Sequence, residues 1–143
     1  MKLRTSTVGT LPDAAPATVA PAFAAHFTDP TYEDESDETT PFGSDEGADM
    51  LASWEEHRDE LGPDSTVADV LEGDPAEYLG THTLDDAMAV QSAGFTLLRL
   101  TGHIDAAGKQ ATLAALDQLL SPEMFGQIAS LVQQRDDLRT WTD

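Results

Sequence analysis

From Leu84 to Leu100 apolar side chains recur on two adjacent stripes: Leu84, Met88, Gln91, Phe95 and Leu98 on one, Val90, Ala93, Leu97 and Leu100 on the other. A helix apolar over that much of its circumference has no face to give to water, so other elements must surround it. The spacing predicts a central, buried helix beginning after Thr83. Its neighbours follow the same grammar. Pro21 starts a short helix through Phe27. Ser44 caps a second, with Asp45 and Glu46 in its first turn and Leu51, Trp54 and Leu61 on one side, stopped by Gly62-Pro63. Short helices follow from Ser65 to Gly73 and from Asp74-Pro75 to Gly80. Asp105 opens a helix with Leu113, Leu116 and Leu120 inward, and Ser121-Pro122-Glu123 starts the last, carrying Phe125, Ile128, either Leu131 or Val132, and Leu138.

These segments predict a mainly α fold, a small bundle of about five to six helices with antiparallel neighbours, and a core that includes Leu84, Met88, Phe95, Leu98, Leu116, Ile128 and Leu131. The 143 residues read as a single domain: an Ala/Pro-rich N-terminal segment at 1–28, an acidic loop at 29–41 and a helical core at 42–143. Imperfect alternation of Leu3, Thr5, Thr7 and Val8 allows one short strand at Met1–Val8.

Charge is the second constraint. The chain holds 27 Asp and Glu against 7 Lys and Arg, a net charge of −20. Residues 29–77 alone carry 18 acids against the single base Arg58, a net −17. Direct nucleic-acid binding is disfavoured, because that affinity comes from Lys and Arg displacing phosphate counterions; an anionic membrane surface is disfavoured for the same reason. No apolar run approaches the roughly 18 residues of a spanning helix. Without cysteine there is no disulfide, thiol nucleophile or Cys-ligated zinc. Acids and prolines interrupt the stretch after Lys2 and Arg4, so no signal peptide is read there and a cytoplasmic protein is expected.

Residues 29–41, DPTYEDESDETTP, have Tyr32 as their main apolar group and read as a solvated or disordered link. Gly47, in the first turn after Ser44, costs a helix up to about 1 kcal/mol relative to alanine. Its presence implies a close approach to the backbone there. Asp29-Pro30-Thr31-Tyr32 followed by Pro41-Phe-Gly-Ser-Asp-Glu-Gly-Ala-Asp49 resembles a pattern of aromatic, acidic run and P-F-G-[SN]-D-x-G-x-D in uncharacterised bacterial proteins of the YfeS-like kind. The resemblance spans about 21 residues, 29–49, and implies a family without implying an activity.

Asp45 and Asp49 stand four apart on one helix face, and Glu33, Asp34, Glu35, Asp37 and Glu38 add oxygens suited to a hard cation, although the spacing is not that of an EF-hand. His26, His57, His82 and His103 form no H-E-x-x-H or E-x-x-H motif; His57 reads as a surface residue and His103 as lying at the end of the central helix. G-x-S-x-G and the glycine-rich phosphate motifs are absent, so an enzyme is the less favoured reading and no cofactor is implied.

Dense, localised negative charge instead suits an acidic protein-interaction domain, such as a stoichiometric inhibitor or immunity-type protein for a basic partner. The candidate partner-binding residues are Tyr32, Glu33, Asp34, Glu35, Asp37, Glu38, Phe42, Ser44, Asp45 and Asp49, with Tyr32 as the exposed aromatic anchor. The alternatives are a divalent-metal or small-ligand-dependent enzyme using the Asp45/Asp49 region, and a halophile-type acidic structural protein.

Overall fold

A computed structural model describes residues 19–142, and these are mainly helical. Among the described residues seven α-helices run in order: α1 Pro21–His26, α2 Asp45–Glu56, α3 Val67–Leu71, α4 Pro75–Gly80, α5 Leu84–Thr101, α6 Ala106–Leu119 and α7 Ala129–Thr140. Single 3₁₀ turns at Pro30–Tyr32 and Arg58–Glu60 interrupt the connections. No strand occurs among the described residues, and the strand expected at Met1–Val8 lies outside them. No helix among the described residues is long and apolar enough to cross a membrane.

The apolar segment is the axis of the bundle. In α5 the Thr83 side chain caps the N-terminus by accepting from the Asp86 N–H, and Gly102, at φ 75°, ends it in the left-handed conformation that glycine adopts without a Cβ penalty. Every residue from Ala87 to Leu98 is buried, as the two-stripe pattern requires. Helices α1, α2, α3, α4 and α6 pack around α5, and α7 packs on α6. Gly94 faces Thr112, each about nine residues from His103 in the connection, which is the register of an antiparallel pair. A Cβ at position 94 would overlap the Thr112 side chain, so glycine sets how closely α5 and α6 approach. Asp105 ties the far end: one carboxylate oxygen caps α6 at the Gly108 N–H (2.9 Å) and the other accepts from Val67 N–H at the start of α3 (2.9 Å).

Three boundaries depart from expectation. Helix α2 ends at Glu56, before Gly62-Pro63; the acids Glu55, Glu56, Asp59 and Glu60 are unfavourable at the negative end of a helix dipole, and the chain tightens into a 3₁₀ turn. Thr66, not Ser65, caps α3, in a reciprocal capping box with Asp69. Residues 121–128 form a turn in which Ser121 C=O accepts from Met124 and Gly126 N–H, with Gly126 at φ 82°, so the last helix starts only at Ala129. Ile128 is consequently half-buried, whereas Met88, Phe95, Leu98, Leu116 and Leu131 are buried as expected. Leu84 is a correction: at the first position of α5, where the neighbouring helix ends leave open clefts on either side of it, it is 38% exposed.

Candidate functional site

The acidic segment 29–44 is folded into the bundle. Asp29 accepts from Thr31 N–H (2.9 Å), caps the 3₁₀ turn, and sends Tyr32 inward. Asp34 accepts from the backbone and hydroxyl of Ser36 (2.8 and 2.7 Å), and Asp37 does the same for Thr39 (2.9 and 2.7 Å). The Ser36 backbone N–H, then its hydroxyl, holds the Asp34 carboxyl below its ordinary value. These local bonds replace the ladder that a helix or sheet would supply. They turn a polar sequence into a defined loop.

Two helices grip that loop from inside. Gln91 of α5 and Gln134 of α7, both buried, donate to Thr39 C=O at 3.1 and 2.8 Å, and Gln91 also donates to the Gln134 side-chain oxygen at 2.6 Å. Ser92 donates to Pro41 C=O (3.0 Å), and Thr31 shares a hydrogen bond with Ser130 of α7 (2.5 Å). Buried polar groups are stable only when paired, so this network fits the loop in one position. Pro41 C=O and the Ser92 hydroxyl are also what crowd Gly47: a Cβ there would overlap both. The close approach implied by Gly47 is thus made by the chain itself.

Tyr32 lies 1% exposed, its ring 5.1 Å from Phe27 and 5.7 Å from Phe95, and its hydroxyl donates to Asp137 (2.7 Å). Burial, then the Asp137 hydrogen bond and the charges of Asp137 and Asp29, push the phenol far above its ordinary value of 10.0. Phe42 is buried beneath the Arg99 guanidinium at 5.1 Å, and Arg99 pairs with Glu33 at 2.8 Å. Ser44 is buried because its hydroxyl caps α2 at Gly47 N–H.

The ten candidate residues therefore separate. Tyr32 and Phe42 are interior and have no surface to offer a partner, which corrects the expectation of an aromatic anchor at Tyr32; Ser44 is also buried but reaches the lining of the adjoining cleft. Asp34 and Asp37 hold turns, and Glu33 is ion-paired. Glu35, Glu38, Asp45 and Asp49 are exposed. Beside them runs a cleft of about 560 Å³ lined by Ser36, Glu38, Gly43, Ser44, Asp45, Glu46, Leu84, Asp85 and Met88, where the N-termini of α2 and α5 converge. Partial burial, then the charges of Asp85 and Asp86, raises the Glu46 carboxyl above its ordinary value. Glu46 and Asp85 belong to the face although the sequence reading passed over them; both sit in helix first turns, and only the packing of α2 on α5 brings them together.

Among the described residues no three His, Asp or Glu side chains are grouped to hold a metal ion. His57 is exposed and its ring bonds Ser53 C=O (2.9 Å), which raises its pKa above the ordinary 6.5, with smaller contributions from Glu60, Glu56 and Asp59. His26 joins α1 to α7 through Asp137 C=O (2.7 Å), and His103 is exposed just beyond Gly102. No protein-family model matches this chain, and no curated protein or solved structure matches it significantly.

Proposed function

We propose that this protein is an acidic interaction domain that binds a basic protein partner, in the manner of a stoichiometric inhibitor or immunity-type protein. The observation that carries the reading is that Glu35 and Glu38 are exposed on the loop gripped by Gln91 and Gln134, and Asp45 and Asp49 are exposed on the helix α2 that directly follows it. Charges held in place lose little conformational freedom on binding, and like charges clustered on one face raise the rate of encounter with a cationic surface by about 10-fold or more at low salt. Like charges packed this densely repel one another at a cost in folding stability, so a local cluster is better explained by use than by drift. A nucleic-acid-binding protein is a suitable partner class, since its cationic site accepts carboxylates in place of phosphates.

The test is a pull-down from a lysate of the source cells, using the wild type and E35Q/E38Q/D45N/D49N, followed by association kinetics against the recovered protein. The reading expects one basic partner, lost with the variant at unchanged circular dichroism, and an association rate that falls steeply with salt. Recovery of the same proteins by both baits would overturn it. Helix that forms only at molar salt would favour the halophile alternative.

A further inference from the structure

Leu84 lines two clefts at once. One is the 560 Å³ cleft with Glu38, Asp45, Glu46, Asp85 and Met88; the other, of about 410 Å³, is lined by His82, Asp117, Gln118, Ser121, Glu123 and Met124. Each cleft has a methionine in its wall, and Leu84, the exposed large hydrophobic among the described residues, forms the seam between them. The two linings contain six carboxylates and no Lys or Arg. The seam is held firmly: Thr83 caps α5, and the Thr81 hydroxyl donates to Asp86 at 2.7 Å.

We propose that the paired clefts meeting at Leu84 are a docking surface for a partner's cationic amphipathic segment, whose apolar side chain seats on Leu84 while flanking Lys or Arg side chains meet the acidic rims. This rests on the reading of the protein as a binder of basic partners and names where and how that partner is held. An apolar centre within a polar rim is the usual anatomy of an energetic contact, and methionine adapts its shape to an incoming side chain. Charge decides the occupant. An acidic or neutral segment gains nothing from six carboxylates, and a second copy of this chain brings a net charge of −20 to the same place. A cation entering between Glu46 and Asp85 relieves repulsion already present there.

The experiment uses the full chain and three labelled synthetic peptides of about five helical turns: an amphipathic Leu/Lys peptide, a Leu/Glu peptide with the same apolar pattern, and a Gly/Lys peptide with the same Lys count. Fluorescence anisotropy is read at about 0.05 and 0.15 M salt, where the screening length falls below about 10 Å at the higher value. The Leu/Lys peptide should bind at both. L84S should weaken it roughly three- to seven-fold at 0.15 M, the equivalent of uncovering the 38% of the leucine that a partner can still bury, with an unchanged circular dichroism spectrum. E46Q/D85N should weaken it and flatten its salt dependence, while Gly/Lys binding should be weaker and insensitive to L84S. If L84S binds Leu/Lys as the wild type does while E35Q/D49N loses it, the seam is not the docking site and the acidic-face reading survives. If the wild type binds neither cationic peptide at 0.05 M salt, both readings fall. Leu/Glu binding equal to Leu/Lys, or a dimer in sedimentation that L84S dissociates, would overturn the cationic occupant.

Discussion

The loop at residues 29–44 and the helix α2 that follows it are similarly acidic, and they use their aspartates in opposite ways, while Glu35 and Glu38 of the loop stay exposed. In the loop, Asp29, Asp34 and Asp37 turn back onto the N–H groups of Thr31, Ser36 and Thr39, and Glu33 lies against Arg99. Along α2 the helix satisfies its own backbone, so Asp45 and Asp49 are left exposed to solvent. A short carboxylate beside an irregular backbone is a structural group, whereas the same carboxylate on a helix surface is free to meet a partner. Net charge by segment does not make that distinction; backbone geometry does.

The difference is sharpened most by removing what the loop buries. Tyr32→Ala should lower the unfolding free energy by about 3 to 5 kcal/mol in chemical denaturation, because a buried ring and its bond to Asp137 are lost together. A change near zero would return the loop to the surface. The same residue gives a pH test. The folded state raises the Tyr32 phenol above its ordinary 10.0, so the stability it contributes is complete below that value and is lost as pH rises beyond it. Ultraviolet titration should show Tyr32 phenolate appearing only together with loss of helical circular dichroism. In a Tyr78→Phe background, which leaves Tyr32 as the sole tyrosine, phenolate forming at pH 10 with the helices intact would contradict its burial.

A smaller effect is expected where the loop meets α2. Gly47→Ala places a methyl group against Pro41 C=O and the Ser92 hydroxyl, and overpacking of this kind costs about 1 to 3 kcal/mol. An isolated helix would be strengthened by the same change, so the sign of the effect reports whether loop and helix touch. Smallest is the direct contrast between carboxylates. Asp37→Ala should cost about 1 kcal/mol, since it frees two donors of Thr39, while Asp49→Ala should stay within about 0.5 kcal/mol. Equal costs measured for the pair would erase the distinction.

Much of the bundle is readable from the chain because its signals are local. Ser44, Thr83 and Asp105 cap the helices that their spacing announces, and the two stripes of α5 mark it as central. The loop is hidden because its partners are remote: Thr39 is held by Gln91 and Gln134, and Tyr32 by Asp137. No window around residue 32 contains those groups. Leu84 shows the converse, an apolar residue in register with a buried stripe that emerges because the neighbouring helix ends leave clefts on both sides of it. Four of the seven residues of the candidate face are accordingly legible, Glu35, Glu38, Asp45 and Asp49, while Glu46, Asp85 and Leu84 depend on how two helix ends meet.

Native-state hydrogen exchange across the loop tests most directly whether the acidic segment is a fixed platform. The amides of Thr39 and Thr40 donate to Asp37, that of Gly43 to Thr40 C=O, and that of Gly47 to Ser44, all within the segment gripped by Gln91 and Gln134. They should be protected well above free-peptide rates at ordinary ionic strength, and Gln134→Ala should release Thr39, Thr40 and Gly43 together while the amides of α5 stay protected. Exchange of Thr39, Thr40 and Gly43 at free-peptide rates in the wild type, with α5 protected, would show an unanchored acidic tether and contradict the account.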